Sequence, residues 1–367
     1  MIDPSNFLKF LKSKKINFFT GVPDSLLKNF LYNLEHLNKK KHITAISEGS
    51  AIAIGSGYFL SSKKIPCIYF QNSGLGNALN PLTSITHNKV YSIPMVLLIG
   101  WRGEPGVNDE PQHKVKGVIT RNLLKLLNIK YVILSHKTKL SRLNKLISHA
   151  RKKSEPVAIL VRKDTFKKPQ KKKIKGKTNK TFLRKDVIEI ILDKISNNTK
   201  IISTTGYTSR ELFQIRKKRG ISKGKDFYMV GGMGHAASLS LGVGMNSKKK
   251  VICLDGDGSL LMHLGSLSTV AYTNNKEFIH ILLNNSAHES VGGQKVPSEK
   301  IDYKKLSISL GYKKYFSFNS KNRFNKNLND ILKKKGPIFI EIKISQGALT
   351  NLARPKELLK IKKNFIS

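Results

Sequence analysis

Four short stretches of this chain hold residues whose types and spacing could do chemistry. The densest is Asp255-Gly256-Asp257-Gly258-Ser259, which closes an apolar run, with 25 residues between Gly258 and the pair Asn284-Asn285 at the end of another such run. A carboxylate from Asp257, an amide oxygen from Asn285 and a nearby backbone carbonyl make a hard oxygen cage. Such a cage suits Mg²⁺, which keeps some water and takes phosphate oxygens at its remaining positions. Gly256 and Gly258 let the backbone turn tightly and come close to a phosphate. A second stretch starts at Glu48, the first residue of the small-residue run EGSAIAIGSGYFL. A third is Gly231-Gly232-Met233-Gly234-His235; glycine-rich turns at helix N-termini bind phosphate through free N–H groups. The fourth, Trp101–Lys116, holds the only tryptophan, two scarce acids at Asp109-Glu110, and His113. Arg102 in that stretch is a candidate anion clamp, its planar fork being suited to oxyanions.

Elements must bring these residues together. Val251–Leu254 and Phe278–Leu283 read as buried strands, and the apolar residues at 260, 261, 264, 267, 270 and 271 keep helical spacing between them. A right-handed crossover sets the C-terminal ends of two parallel strands on one edge. Asp257 and Asn285 are then neighbours although 27 residues lie between them. The first half alternates helix and strand patterns throughout, with strands expected at Asn17–Thr20, Ile43–Ile46, Ile65–Phe70, Pro94–Ile99, Tyr131–Leu134 and Val157–Val161. Trp101–Lys116 follows one of these strands and is expected to be a polar loop at the ligand-binding edge. The second half repeats the pattern. Lys163–Lys180 is Lys-rich and without apolar period, so it reads as a linker. The expectation is an α/β protein of two doubly wound, mostly parallel sheets, with domains at 1–163 and 181–367 and a linker at 164–180.

The totals set bounds. A length of 367 residues suits two domains with real cores. No apolar stretch of membrane-spanning length and no hydrophobic signal core are present, so a soluble cytoplasmic protein without membrane partners is expected. Cys67 and Cys253 both sit in apolar runs and read as reduced core residues. Sixty-seven Lys and Arg stand against 23 acids, a formal charge of +44. That excess admits a nucleic-acid-binding protein. The lysines are scattered rather than gathered in an arm, however, and no aromatic recognition module accompanies them. Solvated faces that also attract an anionic substrate are the preferred reading.

Gly256-Asp257-Gly258 followed at that spacing by Asn284-Asn285 resembles the diphosphate-binding motif of thiamine diphosphate enzymes. The resemblance implies that Asp257, Asn285 and the Ala287 carbonyl hold Mg²⁺, with Gly256, Gly258 and Ser259 beside the diphosphate. Asn72-Ser73-Gly74-Leu75-Gly76-Asn77 is similar to the segment Gly-Pro-Gly-x-x-Asn of the family's pyrimidine-binding domain, with Leu in place of Pro. It implies cofactor contacts at Asn72 and Gly74. Glu48 would be the acid that hydrogen-bonds N1′ of the aminopyrimidine; a Glu complementing the helix macrodipole is the plainer alternative. The Gly231 carbonyl would accept from the 4′-amino group and Met233 would wedge the cofactor into its bent shape. Thr204-Thr205-Gly206, Gly234 and His235 would lie near the diphosphate. The first domain would thus bind pyrimidine and the second diphosphate.

Further runs are similar to the branch of this family that decarboxylates 3-phosphonopyruvate. They are Gly21-Val22-Pro23-Asp24-Ser25, Trp101-Arg102-Gly103-Glu104-Pro105-Gly106, Asp109-Glu110-Pro111-Gln112-His113, Ser290-Val291-Gly292-Gly293-Gln294 and the tail around Arg354-Pro355. Gly232, Ser286 and Ala353 depart from its usual residues. The branch implies a small anionic 2-keto acid substrate, loss of CO₂ to give phosphonoacetaldehyde in phosphonate biosynthesis, and self-association with active sites at subunit interfaces. His113 would give a proton to the carbon that CO₂ leaves, and Arg102 would hold the phosphonate. Sulfopyruvate is the main alternative substrate; the fusion of both domains in one chain points toward the phosphonate.

Overall fold

The computed structural model describes residues 1–168, 182–220 and 224–367. From position 169 onward the expected Lys-rich linker lies outside the described residues. Two compact units divide the chain: the first takes the N-terminal half together with 291–294, and the second takes the rest.

In the first unit the helices are α1 (Pro4–Ser13), α2 (Lys28–Glu35), α3 (Glu48–Ser62), α4 (Leu75–Pro81), α5 (Pro111–Leu126) and α6 (Leu140–Lys153). Its strands are β1 (Phe19–Gly21), β2 (His42–Thr44), β3 (Cys67–Gln71), β4 (Val96–Gly100), β5 (Lys130–Leu134) and β6 (Val157–Val161). They form one six-stranded sheet in the order β2-β1-β3-β4-β6-β5, every pair parallel. Central strands of such a sheet are covered on both faces and therefore read as continuous apolar runs; all five residues of β4 and of β6 are buried. Phe7, Phe30 and Phe166 pack together in the core on one face.

The second unit contains α7 (Arg184–Lys194), β7 (Lys200–Ser203), α8 (Tyr207–Arg219), β8 (Lys225–Tyr228), α9 (Ala236–Met245), β9 (Val251–Gly256), α10 (Asp257–Met262) and α11 (Ser266–Tyr272). After these come β10 (Phe278–Asn284), the short β11 (Ala287–His288) and β12 (Gln294–Lys295), α12 (Tyr303–Ser309), β13 (Lys314–Phe318), α13 (Lys321–Lys333), β14 (Ile338–Lys343) and α14 (Leu358–Ile366). A second parallel six-stranded sheet runs β13-β14-β10-β9-β7-β8. Apolar clusters fill both of its faces.

Three local differences from the sequence expectation matter for the site. The segment expected as a loop up to Lys116 is already helical from Pro111. Proline at the first helical position lacks an N–H that the helix would leave unpaired anyway. His113 therefore stands in the first turn of α5. The single helix expected after Asp257 is two, α10 and α11, interrupted where His263 leaves helical backbone and stacks on His235 with ring centroids 4.4 Å apart. The helix expected at Gly76–His87 begins earlier, as a 3-10 turn at Asn72–Gly74, and ends in a π-helical turn.

Seven of the 23 acids are buried: Asp24, Glu48, Glu211, Asp226, Asp255, Asp257 and Glu341. Of the Lys and Arg side chains among the described residues, only Arg184 and Arg216 are buried. Among the described residues, no helix is long and apolar enough to cross a membrane.

Candidate active site

β9 and β10 run side by side and parallel, Leu283 opposite Gly256, so their carboxyl ends open on one edge. Asp257 and Asn285 follow those ends directly. The Asp257 carboxylate accepts from the backbone N–H of Gly258 at 2.9 Å, while the Ser286 N–H donates to Asn284 Oδ1 at 3.3 Å. Asp257 Oδ2 is buried without a partner. Burial pushes the Asp257 carboxyl up to about 6, against the lowering effect of the backbone N–H groups. A buried carboxylate oxygen without a donor is costly, and a bound cation removes that cost.

Asn284 and Asn285 turn to different partners. Asn284 Nδ2 donates inward to Glu341 Oε1 at 2.9 Å, whereas Asn285 Nδ2 donates to Glu289 Oε2 at 3.0 Å. With its nitrogen held there, the Asn285 side chain keeps Oδ1 as its metal-competent atom; that oxygen also accepts from Ala287 N–H at 3.1 Å. An all-oxygen donor set containing one orphaned carboxylate oxygen fits a hard divalent cation.

The glycine turn meets the same edge. Ser259 Oγ accepts from Gly234 N–H at 3.1 Å and lies 2.8 Å from Thr204 Oγ1. Three of the expected diphosphate residues, Gly234, Ser259 and Thr204, are therefore in contact. Gly234 has φ +89°, and a Cβ there would fall 2.4 Å from the His263 ring, so only glycine fits. Gly231, Met233, Thr205 and Gly256 are part-exposed, and His235 is exposed. At Gly258 a Cβ would meet the His288 ring at 2.6 Å.

In the first unit Glu48 opens α3, behind the N-cap Ser47, and is buried. Asn77 Nδ2 donates to Glu48 Oε2 at 2.8 Å. A Cβ on Gly74 would lie 2.4 Å from Glu48 Oε1, so the glycine makes room for the acid. Asn72 is occupied otherwise: its Nδ2 donates to the Arg102 carbonyl and to Thr120 Oγ1, both at 2.9 Å, and its Oδ1 accepts from Arg102 N–H at 3.1 Å. It fastens the Arg102 segment to the turn before α4.

Asp109 organises that segment. Its carboxylate takes Arg102 Nε at 2.9 Å and Arg102 Nη2, His113 Nδ1 at 2.9 Å, and the N–H groups of Gly103 and Glu110 at 2.8 Å. Although burial alone would raise the Asp109 carboxyl, the Arg102 and His113 bonds hold it well below the usual carboxylate range. Arg102 is therefore not a free clamp. Two of its nitrogens face Asp109, and Nη1 donates to Ser25 Oγ at 3.2 Å. Burial lowers the His113 imidazole despite the Asp109 bond. With Nδ1–H turned to an ionised carboxylate, the neutral ring offers the Nε2 lone pair.

Sequence reasoning did not single out Asn77, Asp109 or Lys116 as site residues. Asn77 and Asp109 carried signals, one inside a glycine-rich motif and the other a scarce acid. Lys116, whose ammonium is lowered by burial and raised by the charge of Glu48, carried none among so many lysines.

Comparison with known proteins places both halves. Residues 5–125 match the family described as thiamine pyrophosphate enzyme, N-terminal TPP binding domain, and residues 204–342 match its C-terminal TPP binding domain. The phosphonopyruvate decarboxylase of Streptomyces hygroscopicus is 32% identical over an alignment covering 97% of this chain and 91% of that protein. Its counterpart from Streptomyces viridochromogenes is 31% identical, covering 97% and 92%. A sulfopyruvate decarboxylase from Methanosarcina acetivorans is 28% identical, covering 86% and 84%. Because that last alignment runs through both halves, two domains in one chain do not separate the two substrates, contrary to the expectation from the sequence.

Proposed function

Because the chain belongs to the thiamine pyrophosphate enzyme family, we propose that it decarboxylates 3-phosphonopyruvate to phosphonoacetaldehyde with thiamine diphosphate and Mg²⁺. The observation that carries the cofactor reading is the buried Asp257 carboxylate, with its unpartnered oxygen, beside Asn285 at the carboxyl edge of β9 and β10. Support for the substrate is the 32% identity over 97% of the chain to a phosphonopyruvate decarboxylase, against 28% over 86% to a sulfopyruvate decarboxylase.

Thiamine diphosphate, when bound, supplies the electron sink that takes up the pair left as CO₂ departs. Asp257, Asn285 and the Ala287 carbonyl hold the Mg²⁺. Gly234, Ser259, Gly256, Gly258 and Thr205 form the diphosphate cradle with Thr204, and His235 lies beside it. The Gly231 carbonyl and Met233 receive the aminopyrimidine. Glu48, fixed by Asn77, shares a proton with the ring nitrogen of the pyrimidine. Gly74 leaves the space for that carboxyl, and Asn72 braces the adjoining turn.

Substrate handling falls to the cluster around Asp109. Arg102 meets the substrate anion through the Nη1 edge that faces Ser25, its other edge being filled by Asp109. Lys116 adds a compact positive charge on the Glu48 side. His113 takes up a proton at Nε2 and returns it to the carbon that CO₂ has left. Self-association into a homo-oligomer and a cytoplasmic location belong to the same reading.

The test compares CO₂ release from phosphonopyruvate and sulfopyruvate, with and without thiamine diphosphate and Mg²⁺, in wild type and Glu48→Gln. Turnover of phosphonopyruvate should exceed that of sulfopyruvate and require both additions. Glu48→Gln should keep cofactor affinity and lose most turnover. Wild-type rates in that variant would refute the role of Glu48, and preference for sulfopyruvate would refute the substrate.

A further inference from the structure

We infer that Glu289 is a positioning residue that fixes the side-chain amide of Asn285 and couples the metal loop to the segment following β14. The inference rests on the reading of Asn285 as a metal ligand and concerns what holds that ligand in place.

An asparagine amide can present either its oxygen or its nitrogen, and only the oxygen binds a cation. The Glu289 carboxylate, which also accepts from Arg184 Nη2, presents acceptors to that amide. By taking Asn285 Nδ2 at 3.0 Å, its Oε2 excludes the flipped amide and leaves Oδ1 as the ligand atom. Such outer partners commonly orient metal ligands and raise affinity.

Glu289 is itself held from two further sides. Arg184 Nη2 donates to the same Oε2 at 2.6 Å, and the backbone N–H of Gly347 donates to Oε1. Arg184 is buried and stands 3.5 Å from Oε2 of Glu211, whose side chain is fully buried. Glu211 Oε1 accepts from the N–H of Leu349 at 2.8 Å. One buried guanidinium thus joins two carboxylates, and each carboxylate grips one backbone N–H of the segment after β14. Ile344 N–H, at the start of that segment, donates to the Asn284 carbonyl at 2.9 Å. Burial raises the Glu211 carboxyl, the Arg184 charge opposes the rise, and Glu289 adds to it. A buried ion pair is weak evidence for stability, and here one of its oxygens is turned on the amide of a proposed ligand.

The experiment uses the full chain with thiamine diphosphate present and measures Mn²⁺ binding by electron paramagnetic resonance. Glu289→Gln preserves shape but replaces the carboxylate with an amide that can face Asn285 either way. Mn²⁺ affinity should fall about 10- to 100-fold. In the double variant Glu289→Gln with Asn285→Asp the polarity is reversed, because the Gln amide donates to the new carboxylate; it should bind Mn²⁺ at least tenfold more tightly than Glu289→Gln alone. Because the added carboxylate favours Mn²⁺ by itself, Asn285→Asp alone is the reference, and a purely structural Glu289 would leave the double variant no tighter than that single variant. Asp257→Asn is the control for the underlying reading. If it abolishes Mn²⁺ binding while Glu289→Gln binds as wild type, the inference fails and the metal site stands. Wild-type Mn²⁺ binding in Asp257→Asn means the metal site itself is misassigned. Should Glu289→Gln not fold, Arg184→Lys keeps the buried cation but loses the fork, and unchanged Mn²⁺ affinity there overturns the inference. Failure of both variants to fold also overturns it, because the cluster would then be a folding element.

Discussion

Gly74→Ala tests the placement of Glu48 without touching its charge. Gly74 has ordinary right-handed backbone, φ −76° and ψ −8°, so alanine is conformationally allowed. Its Cβ would nonetheless stand 2.4 Å from both Cγ and Oε1 of Glu48. Comfortable carbon contacts lie at about 3.5–4.0 Å, so the Glu48 side chain must retreat by roughly 1 Å. Displacing Cγ requires a change nearer the backbone, and the 2.8 Å bond from Asn77 resists it. A misplacement of about 1 Å at a reacting constellation costs on the order of 100-fold in rate. Overpacking costs about 1–3 kcal/mol of stability, which leaves the fold intact. The assay is steady-state CO₂ release at saturating thiamine diphosphate and Mg²⁺, with cofactor affinity measured separately. Turnover should fall about 100-fold while the cofactor Kd changes little. A folded Gly74→Ala protein with turnover within threefold of wild type would refute the requirement for this Glu48 position.

Three further outcomes are expected. Asp109→Asn removes the acceptor shared by Arg102 and His113 and should cost about 2 kcal/mol at pH 7 in urea unfolding, after solvent screening at this half-open cluster. Because the folded Asp109 carboxyl lies below its unfolded value of about 3.9, its contribution is complete above that pH and is lost as pH falls through the folded value. Wild type and variant should therefore keep a constant gap from pH 8 to about 5 and converge in stronger acid. In the chelator EDTA, Asp257→Asn should be at least as stable as wild type at pH 7.5, since it removes the negative charge behind a buried unpartnered oxygen; adding Mg²⁺ with thiamine diphosphate should raise the melting temperature of wild type only. Phe30→Ala, in a core where the Phe30 ring lies 5.4 Å from Phe7 and 5.6 Å from Phe166, should cost about 3–5 kcal/mol by thermal or urea unfolding.

What the sequence made legible follows from how each feature is encoded. The crossover from β9 to β10 could be read because buried parallel strands are near-continuous apolar runs, and glycines mark the turn that carries Asp257. Gly234 and Ser259 could be expected near each other only through the family resemblance. The Asp109 cluster was illegible because five donors converge on it through close packing of Gly103 against α5, where a Cβ on Gly103 would fall 1.9 Å from the His113 carbonyl oxygen. No local pattern announces that approach. Arg102 reads as an anion clamp, and only its geometry reveals that Asp109 occupies two of its nitrogens. β13 escaped notice as an edge strand whose Lys-Tyr-Phe-Ser-Phe sequence is mostly part-exposed. α12 is short, and its start depends on an Asp302 side chain accepting from Lys305 N–H. α14 was hidden in a lysine-rich tail, where basic residues interrupt the apolar period.

Seven of the 23 carboxylates are withdrawn from the surface, but among the described residues only Arg184 and Arg216 of the basic side chains are, so the outer face is more one-sidedly basic than the composition suggests. A small polyanion diffusing nearby is therefore drawn in before it touches any particular group. Capture should weaken steadily as salt is added, so kcat/KM falls with ionic strength while kcat holds. The same attraction makes acidic polymers such as heparin or polyphosphate effective decoys at low salt.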